Sequence, residues 1–320
     1  MKIVIAGANG FLGRSLARHF ADRGHAVIGL VRSPVNADHY RPVLWDGAVL
    51  GTWAAELEGA EALINLAGRS VNCRYHDRNR AAIFDSRLAS TRILGDAVAL
   101  CEEPPRVWIN SSTATIYRHA EDGPQDEFEG EIGKGFSVEV AKAWEKAFFA
   151  ARVPGTVRKV AVRSALVLAH EPGTVLAYLL GLARCGLGGA MGSGRQMVSW
   201  IHLDDFCRAV DWVIRHGQCD GVVNLASPGP VPNRDLMRAV RRAARVPFGI
   251  PSARWMLELG AFAMRTETEL ILKSRWVVPS RLTAHGFRFR WPSLPEAIEG
   301  LLLQRGDHPR RTTKKIAAAK

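Results

Sequence analysis

A short apolar run, Lys2-Ile3-Val4-Ile5-Ala6, leads directly into Gly7-Ala8-Asn9-Gly10-Phe11-Leu12-Gly13, so three glycines spaced three apart follow a strand and open a helix. Few folds use that arrangement. Gly7 permits the tight turn, and Gly10 lets backbone N–H groups approach a pyrophosphate. Gly13 allows the helix to lie close against the sheet, and the helix N-terminus presents positive potential to phosphate. Any strand-to-helix turn can use glycines, but this context predicts a dinucleotide site in which Asn9, Phe11 and Leu12 take part alongside them.

The end of the second strand then discriminates between dinucleotides. An acidic side chain there would bond the adenosine ribose and repel a 2′-phosphate. This chain has Val31-Arg32-Ser33 instead. Arg32 can make charge-assisted hydrogen bonds to a phosphate and Ser33 adds a donor, which predicts NADP(H). Asp46, after the third strand, is placed near the adenine. Leu66, Ala67 and Gly68, after the fourth, are placed against the cofactor, with a purely structural role an equal alternative for these residues and for Asp46.

The remaining pattern supports the same architecture. Strands are expected at Lys2–Ala6, Ala26–Val31, Val43–Trp45, Ala62–Leu66, Arg106–Asn110 and Lys159–Leu168, with helices at Phe11–Arg23, Arg78–Cys101 and Val138–Ala151. This alternation implies an α/β fold, a doubly wound parallel sheet of the Rossmann type with right-handed crossovers. Beyond Ala169 the regularity weakens. One further strand is expected at Gly221–Leu225, and helices at Asn233–Ala244, Ala253–Met264 and Leu294–Leu303. The expected division is a dinucleotide-binding domain over residues 1–168, joined again by 205–228. A smaller C-terminal substrate-binding region takes 169–204 and 229–304, and 305–320 form a basic tail.

Composition narrows the function classes. The 320 residues carry a formal charge of +12, which raises nucleic-acid binding, but the basic residues are scattered and no recognition motif accompanies them. A small-molecule substrate is the expected partner rather than nucleic acid. No apolar run is long enough to span a membrane. Five cysteines, Cys73, Cys101, Cys185, Cys207 and Cys219, form no Cys-x-x-Cys pair. They read as free thiols in a reducing, cytoplasmic setting, with neither a zinc site nor any other metal site. The start of the chain goes straight into the strand, which leaves no room for a leader.

The glycine turn, Leu63–Gly68, Asp85-Ser86-Arg87, Trp144-Glu145 and Val162-Arg163-Ser164 resemble the extended short-chain dehydrogenase/reductase superfamily. The match continues through Gly186-Leu187-Gly188-Gly189 and Gly192-Ser193-Gly194, and Ser199-Trp200-Ile201-His202 and the closing Gly286-Phe287-Arg288-Phe289 resemble, more narrowly, its atypical NAD-dependent epimerase/dehydratase group, which has its own C-terminal extension. The resemblance implies a cofactor contact from Arg87. It also implies a catalytic Ser or Thr after the fifth strand and a Tyr-x-x-x-Lys on the next helix. Thr113 falls at the hydroxyl position and Lys142 at the lysine position, where it would also hold the nicotinamide ribose. The tyrosine position is then Val138, which has no proton to exchange. Tyr117 is the candidate surrogate acid and His202 a second, although His202 can equally fix the loop before Asp204. The glycine-rich stretch Gly186–Gly194, with Gln196, Ser199, Trp200 and His202 beyond it, is expected to wall the substrate cleft. Two readings stay open: an NADP(H)-dependent oxidoreductase or epimerase acting on a small carbonyl, hydroxyl or sugar-nucleotide substrate, and a non-catalytic NADP(H) sensor. A homodimer through the long helix is compatible with either.

Overall fold

The computed structural model describes residues 1–253, 255–258 and 272–304. The expected helix at Ala253–Met264 lies mostly outside the described residues, as does the basic tail.

Seven parallel strands form the main sheet: β1 (Lys2–Ala6), β2 (Ala26–Val31), β3 (Arg41–Leu44), β4 (Ala62–Asn65), β5 (Val107–Thr113), β6 (Arg158–Ser164) and β10 (Gly221–Leu225). Their order is β10-β6-β5-β4-β1-β2-β3. The chain therefore reverses its direction of travel between β1 and β4, and in such sheets the crevice beyond the strand ends at that reversal is where ligands bind.

Period-two alternation distributes β1 between two cores. Ile3 and Ile5 pack with Leu16 and Phe20 of α1 (Phe11–Ala21) and with Phe206 and Val210 of α5 (Leu203–Arg215). Val4 and Ala6 face Leu94 and Val98 of α2 (Asp77–Ala99) and Phe148 of α3 (Phe136–Ala150). Both faces are thus apolar and covered, as a parallel sheet requires. A separate core joins α4 (Val175–Arg184), α6 (Asn233–Ala244) and a closing helix (Leu294–Gln304) around Leu180, Leu236, Met237, Val240 and Ile298.

Three sequence expectations need correction. Lys159–Leu168 is not one strand. It divides at Ala165, whose N–H donates to Leu225 O, while Leu166 N–H donates to Ser199 O. The chain thereby leaves the main sheet, and β7 (Leu166–Leu168) pairs with β9 (Trp200–His202), which follows the two-residue β8 (Met197–Val198). The sequence hides this because β-forming residues continue on both sides of Arg163-Ser164. Conversely, β5 runs past Asn110 to Thr113, because Ser111, Ser112 and Thr113 pair with Val162, Arg163 and Ser164. Those hydroxyl residues read as loop, yet a partner strand supplies their backbone hydrogen bonds. The expected third strand, Val43–Trp45, is shifted slightly earlier to Arg41–Leu44.

Candidate cofactor and substrate cleft

A cleft of about 590 Å³ opens at the C-terminal ends of β1, β4, β5 and β6. At β1 it is lined by Phe11, Leu12 and Arg14, which follow directly on the glycine turn. Gly7 has φ +82°, and a Cβ there would stand 3.1 Å from the backbone of Leu66 and Ala67. At Gly13 a Cβ would meet Gly7 O at 2.3 Å and Ala8 Cα at 2.7 Å, so helix and turn touch backbone to backbone. Gly10 is the N-cap of α1. No side chain caps that helix and no acidic residue stands in its first turn. Its end is open to the cleft, which Phe11 and Leu12 line. Unsatisfied N–H groups without a competing carboxylate form an anion site. Asn9 is exposed, and its carbonyl accepts from Arg14 Nη1 at 2.6 Å.

Arg32 and Ser33 are exposed at the end of β2, and Arg32 makes no ion pair with any described residue. Asp46, also exposed, is partly engaged: its Oδ1 accepts from Ala48 and Val49 N–H at 2.8 Å each, and these bonds hold its carboxyl below the usual range. Leu66 and Gly68 line the cleft, while Ala67 N–H donates to Asn65 Oδ1. Beneath them Asn65 Nδ2 donates to Asn110 Oδ1 at 2.7 Å and to Thr91 Oγ1 at 3.3 Å, and Trp144 Nε1 donates to Thr91 Oγ1 at 2.9 Å, which ties the ends of β4 and β5 to α2 and α3.

Arg87 lines the cleft with its guanidinium 5.0 Å over the Trp144 ring and Nη1 donating to the carbonyls of Arg69 and Ile83. Desolvation brings its pKa down to about 10, and no described carboxylate pairs with it. A cation that has lost water without gaining a counter-ion suits an anionic ligand group.

Thr113 lines the cleft as well. Its Oγ1 accepts Thr115 N–H at 3.1 Å, so its own proton remains available to donate. The adjacent Ser112 is oriented oppositely: its hydroxyl donates to Glu145 Oε1 at 2.6 Å, leaving lone pairs for the cleft.

The helix that should supply the proton relay presents a different face from the expected one. The α3 residues lining the cleft include Ser137, Ala141 and Trp144, which recur at helical spacing on one side. Val138 is fully buried with Ala114, Ile116 and Tyr117. Lys142 points to solvent, half exposed, with its Nζ 3.2 Å from Glu139 Oε1. The assignment of Lys142 to the nicotinamide ribose is therefore corrected: the pairs four apart on α3 that line the cleft are Phe136 and Val140, Ser137 and Ala141, and Val140 and Trp144, and none contains a tyrosine or a lysine.

Tyr117 is also corrected. Its ring is 1% exposed, its hydroxyl donates to Asn224 Oδ1 at 3.0 Å, and Arg163 lies 4.9 Å over the ring. Burial pushes the phenol up, and the residue does not line the cleft. It sits behind the wall because the short helical turn after β5 carries it inward beside Val138.

The expected substrate wall dissolves in the same way. Gln196 Nε2 donates to Met191 O, and Ser199 Oγ donates to Arg275 O and accepts from Val277 N–H. Trp200 Nε1 donates to Gly229 O. His202 caps α5, its Nδ1 accepting Asp204 N–H at 3.0 Å, and stacks on Trp291 at 4.7 Å. Burial lowers its pKa to about 4. Gly189 and Gly192 donate to Ile250 and Ser252 carbonyls. None of these residues lines the cleft; each is held by partners away from it.

Sequence reasoning missed several lining residues: Tyr75, held edge-on to Phe136 at 4.8 Å, together with Arg69, Ser164 and Glu171. For α3 a signal existed, since Ser137, Ala141 and Trp144 share the small-and-aromatic side of the helix. For the loop residues there was none.

The profile of the NAD dependent epimerase/dehydratase family matches residues 3–226, and that of a domain of unknown function, DUF1731, matches residues 253–301. An epimerase family protein of Mycobacterium leprae is 33% identical over 302 residues, covering 92% of this chain and 94% of its own. The crystal structure of human epimerase family protein SDR39U1 (isoform 2) with NADPH aligns with a TM-score of 0.83 at 27% identity, covering 94% of this chain and 99% of that one. The nucleoside-diphosphate sugar epimerase of Corynebacterium glutamicum aligns with a TM-score of 0.74 at 28% identity, covering 94% of this chain and 58% of that one.

Proposed function

The chain belongs to the NAD dependent epimerase/dehydratase family, and from that premise we propose that it binds NADP(H) across the β1–β4 reversal and acts on a small molecule as an oxidoreductase or epimerase. The observation that carries the reading is the uncapped, acid-free N-terminus of α1, open to the cleft beside a glycine turn too crowded for any Cβ at Gly13. That cradle fits a pyrophosphate. The solved relative with NADPH bound supports the choice of cofactor.

In this reading Gly7, Gly10 and Gly13, with the backbone of Asn9, Phe11 and Leu12, hold the phosphates. Arg32 and Ser33 take the 2′-phosphate, Asp46 borders the adenosine, and Leu66, Ala67 and Gly68 flank the middle of the cofactor. Arg87 neutralises a phosphate from within the wall. Nicotinamide bound there would supply or accept a hydride. Thr113 holds and donates a hydrogen bond to the substrate oxygen, and Ser112, fixed by Glu145, accepts one. With Ser137 and Ala141 on the cleft face of α3, the chain provides no tyrosine–lysine relay there. That same pair favours a second reading, a protein that binds NADP(H) without turnover.

Nucleotide titration followed by a carbonyl panel tests both. NADPH should bind more tightly than NADH, and Arg32→Glu should remove that difference. Turnover lost in Thr113→Ala with binding retained supports the enzyme. Binding without turnover across the panel supports the sensor, and absence of binding by either nucleotide overturns both.

A further inference from the structure

Ser164 ends β6 directly across from Thr113, its register partner on β5, and both residues line the cleft. The two differ in one respect. Thr113 Oγ1 has a partner in Thr115 N–H, whereas Ser164 Oγ is buried and has no hydrogen-bond partner among the described residues. A buried hydroxyl left unmatched is costly, and native proteins rarely keep one without a use for it. A serine hydroxyl moves between staggered positions by rotation about a single bond. A polar ligand group arriving at this wall can therefore draw the oxygen out of its unmatched position without displacing backbone.

The sheet order identifies that ligand group. If the pyrophosphate lies at the β1 turn and the adenosine at β2 and β3, the other half of the dinucleotide extends over β4, β5 and β6. Ser164 stands at the far end of that path, beside the hydroxyl assigned to the substrate oxygen. Resting on the cofactor reading above, we propose that Ser164 is the hydrogen-bonding anchor for the nicotinamide carboxamide and thereby fixes the ring relative to Thr113. The carboxamide carries both a donor and an acceptor, and a hydroxyl can answer either. The neighbouring wall offers little competition for that role, since Ala165, Leu166 and Val167 are apolar.

Ser164→Ala separates this role from a structural one, because deleting an unmatched hydroxyl removes no contact from the free protein. The expected result is an unchanged or higher melting temperature, NADPH affinity weakened about fivefold, and unchanged affinity for adenosine 2′,5′-bisphosphate, which lacks the nicotinamide half. Equal losses for both ligands, or no loss for NADPH, would overturn the proposal. Failure of the unmodified protein to bind adenosine 2′,5′-bisphosphate would instead sink the cofactor reading and this contact with it. Ser164→Cys, similar in size with a weaker donor, should fall between serine and alanine in NADPH affinity, and an affinity outside that interval counts against the assignment.

Discussion

Arg163 on β6 holds Glu145 on α3 through two hydrogen bonds, Nε to Oε1 at 2.9 Å and Nη2 to Oε2 at 2.8 Å, with the two side chains only 10% and 9% exposed. The same carboxylate accepts the Ser112 hydroxyl, so one buried ion pair sets both the spacing of α3 from the sheet and the polarity of a cleft residue. Glu145→Ala would leave the guanidinium without its counter-ion. Breaking such a pair from one side costs about 3–5 kcal/mol. Denaturant unfolding should show a loss of that order, with Glu145→Gln intermediate. A loss below about 1 kcal/mol for the alanine variant would show that the pair contributes little.

Acid should destabilise the protein in a defined window. Burial lowers His202 and His19 from 6.5 to about 4. The unfolded chain therefore binds more protons than the folded one between those values, and stability falls as pH drops from about 6.5 toward 4. Each residue contributes on the order of 3 kcal/mol to that fall if its displacement is fully expressed. His202→Asn keeps a capping side chain for α5 and should flatten the dependence of melting temperature on pH. An identical slope in the variant would remove His202 from the account.

The glycines predict opposite outcomes for one substitution. Gly13→Ala drives a Cβ into Gly7 O and Ala8, both backbone, so the turn and α1 must separate. NADPH affinity should fall by more than tenfold, together with a stability loss of about 1–3 kcal/mol from overpacking. Gly24 has φ +74° and open space around it, so Gly24→Ala should cost only about 1 kcal/mol of backbone strain and leave affinity unchanged. Similar affinity losses at both positions would contradict the close contact.

The two residues displaced from catalysis give a further test. Lys142→Ala removes an exposed side chain paired, among the described residues, with Glu139 and should alter NADPH affinity less than about twofold, since exposed pairs contribute about 0–1 kcal/mol even to stability. Tyr117→Phe removes the bond to Asn224 and should lower stability by about 0.5–1.5 kcal/mol without changing nucleotide affinity. Loss of affinity in either variant would return that residue to the cleft.

Much of the molecule was legible in its residues. The glycine spacing and the strand that precedes it determine the turn and the open helix end, because both follow from local backbone sterics and unsatisfied N–H groups. Period-two and helical patterning located β1, β2, β10 and α6 to the residue. The place of Arg32 directly after β2 follows from the same patterning, and its charge from the residue itself. What stayed hidden depends on which side of an element meets which neighbour. Counting back from Lys142 put Val138 in the cleft, but the rotation of α3 about its axis is set by Glu145 reaching Arg163 and Trp144 reaching Thr91, contacts to residues far away in the chain. Tyr117 and His202 have the chemistry of proton carriers, and burial rather than composition removes them from the cleft. Sequence by itself determined the α/β fold and the cofactor cradle, which are local consequences of patterning. The tertiary structure alone decided which hydroxyls and cations face the ligand, because helix rotation and side-chain burial are properties of packing between distant segments.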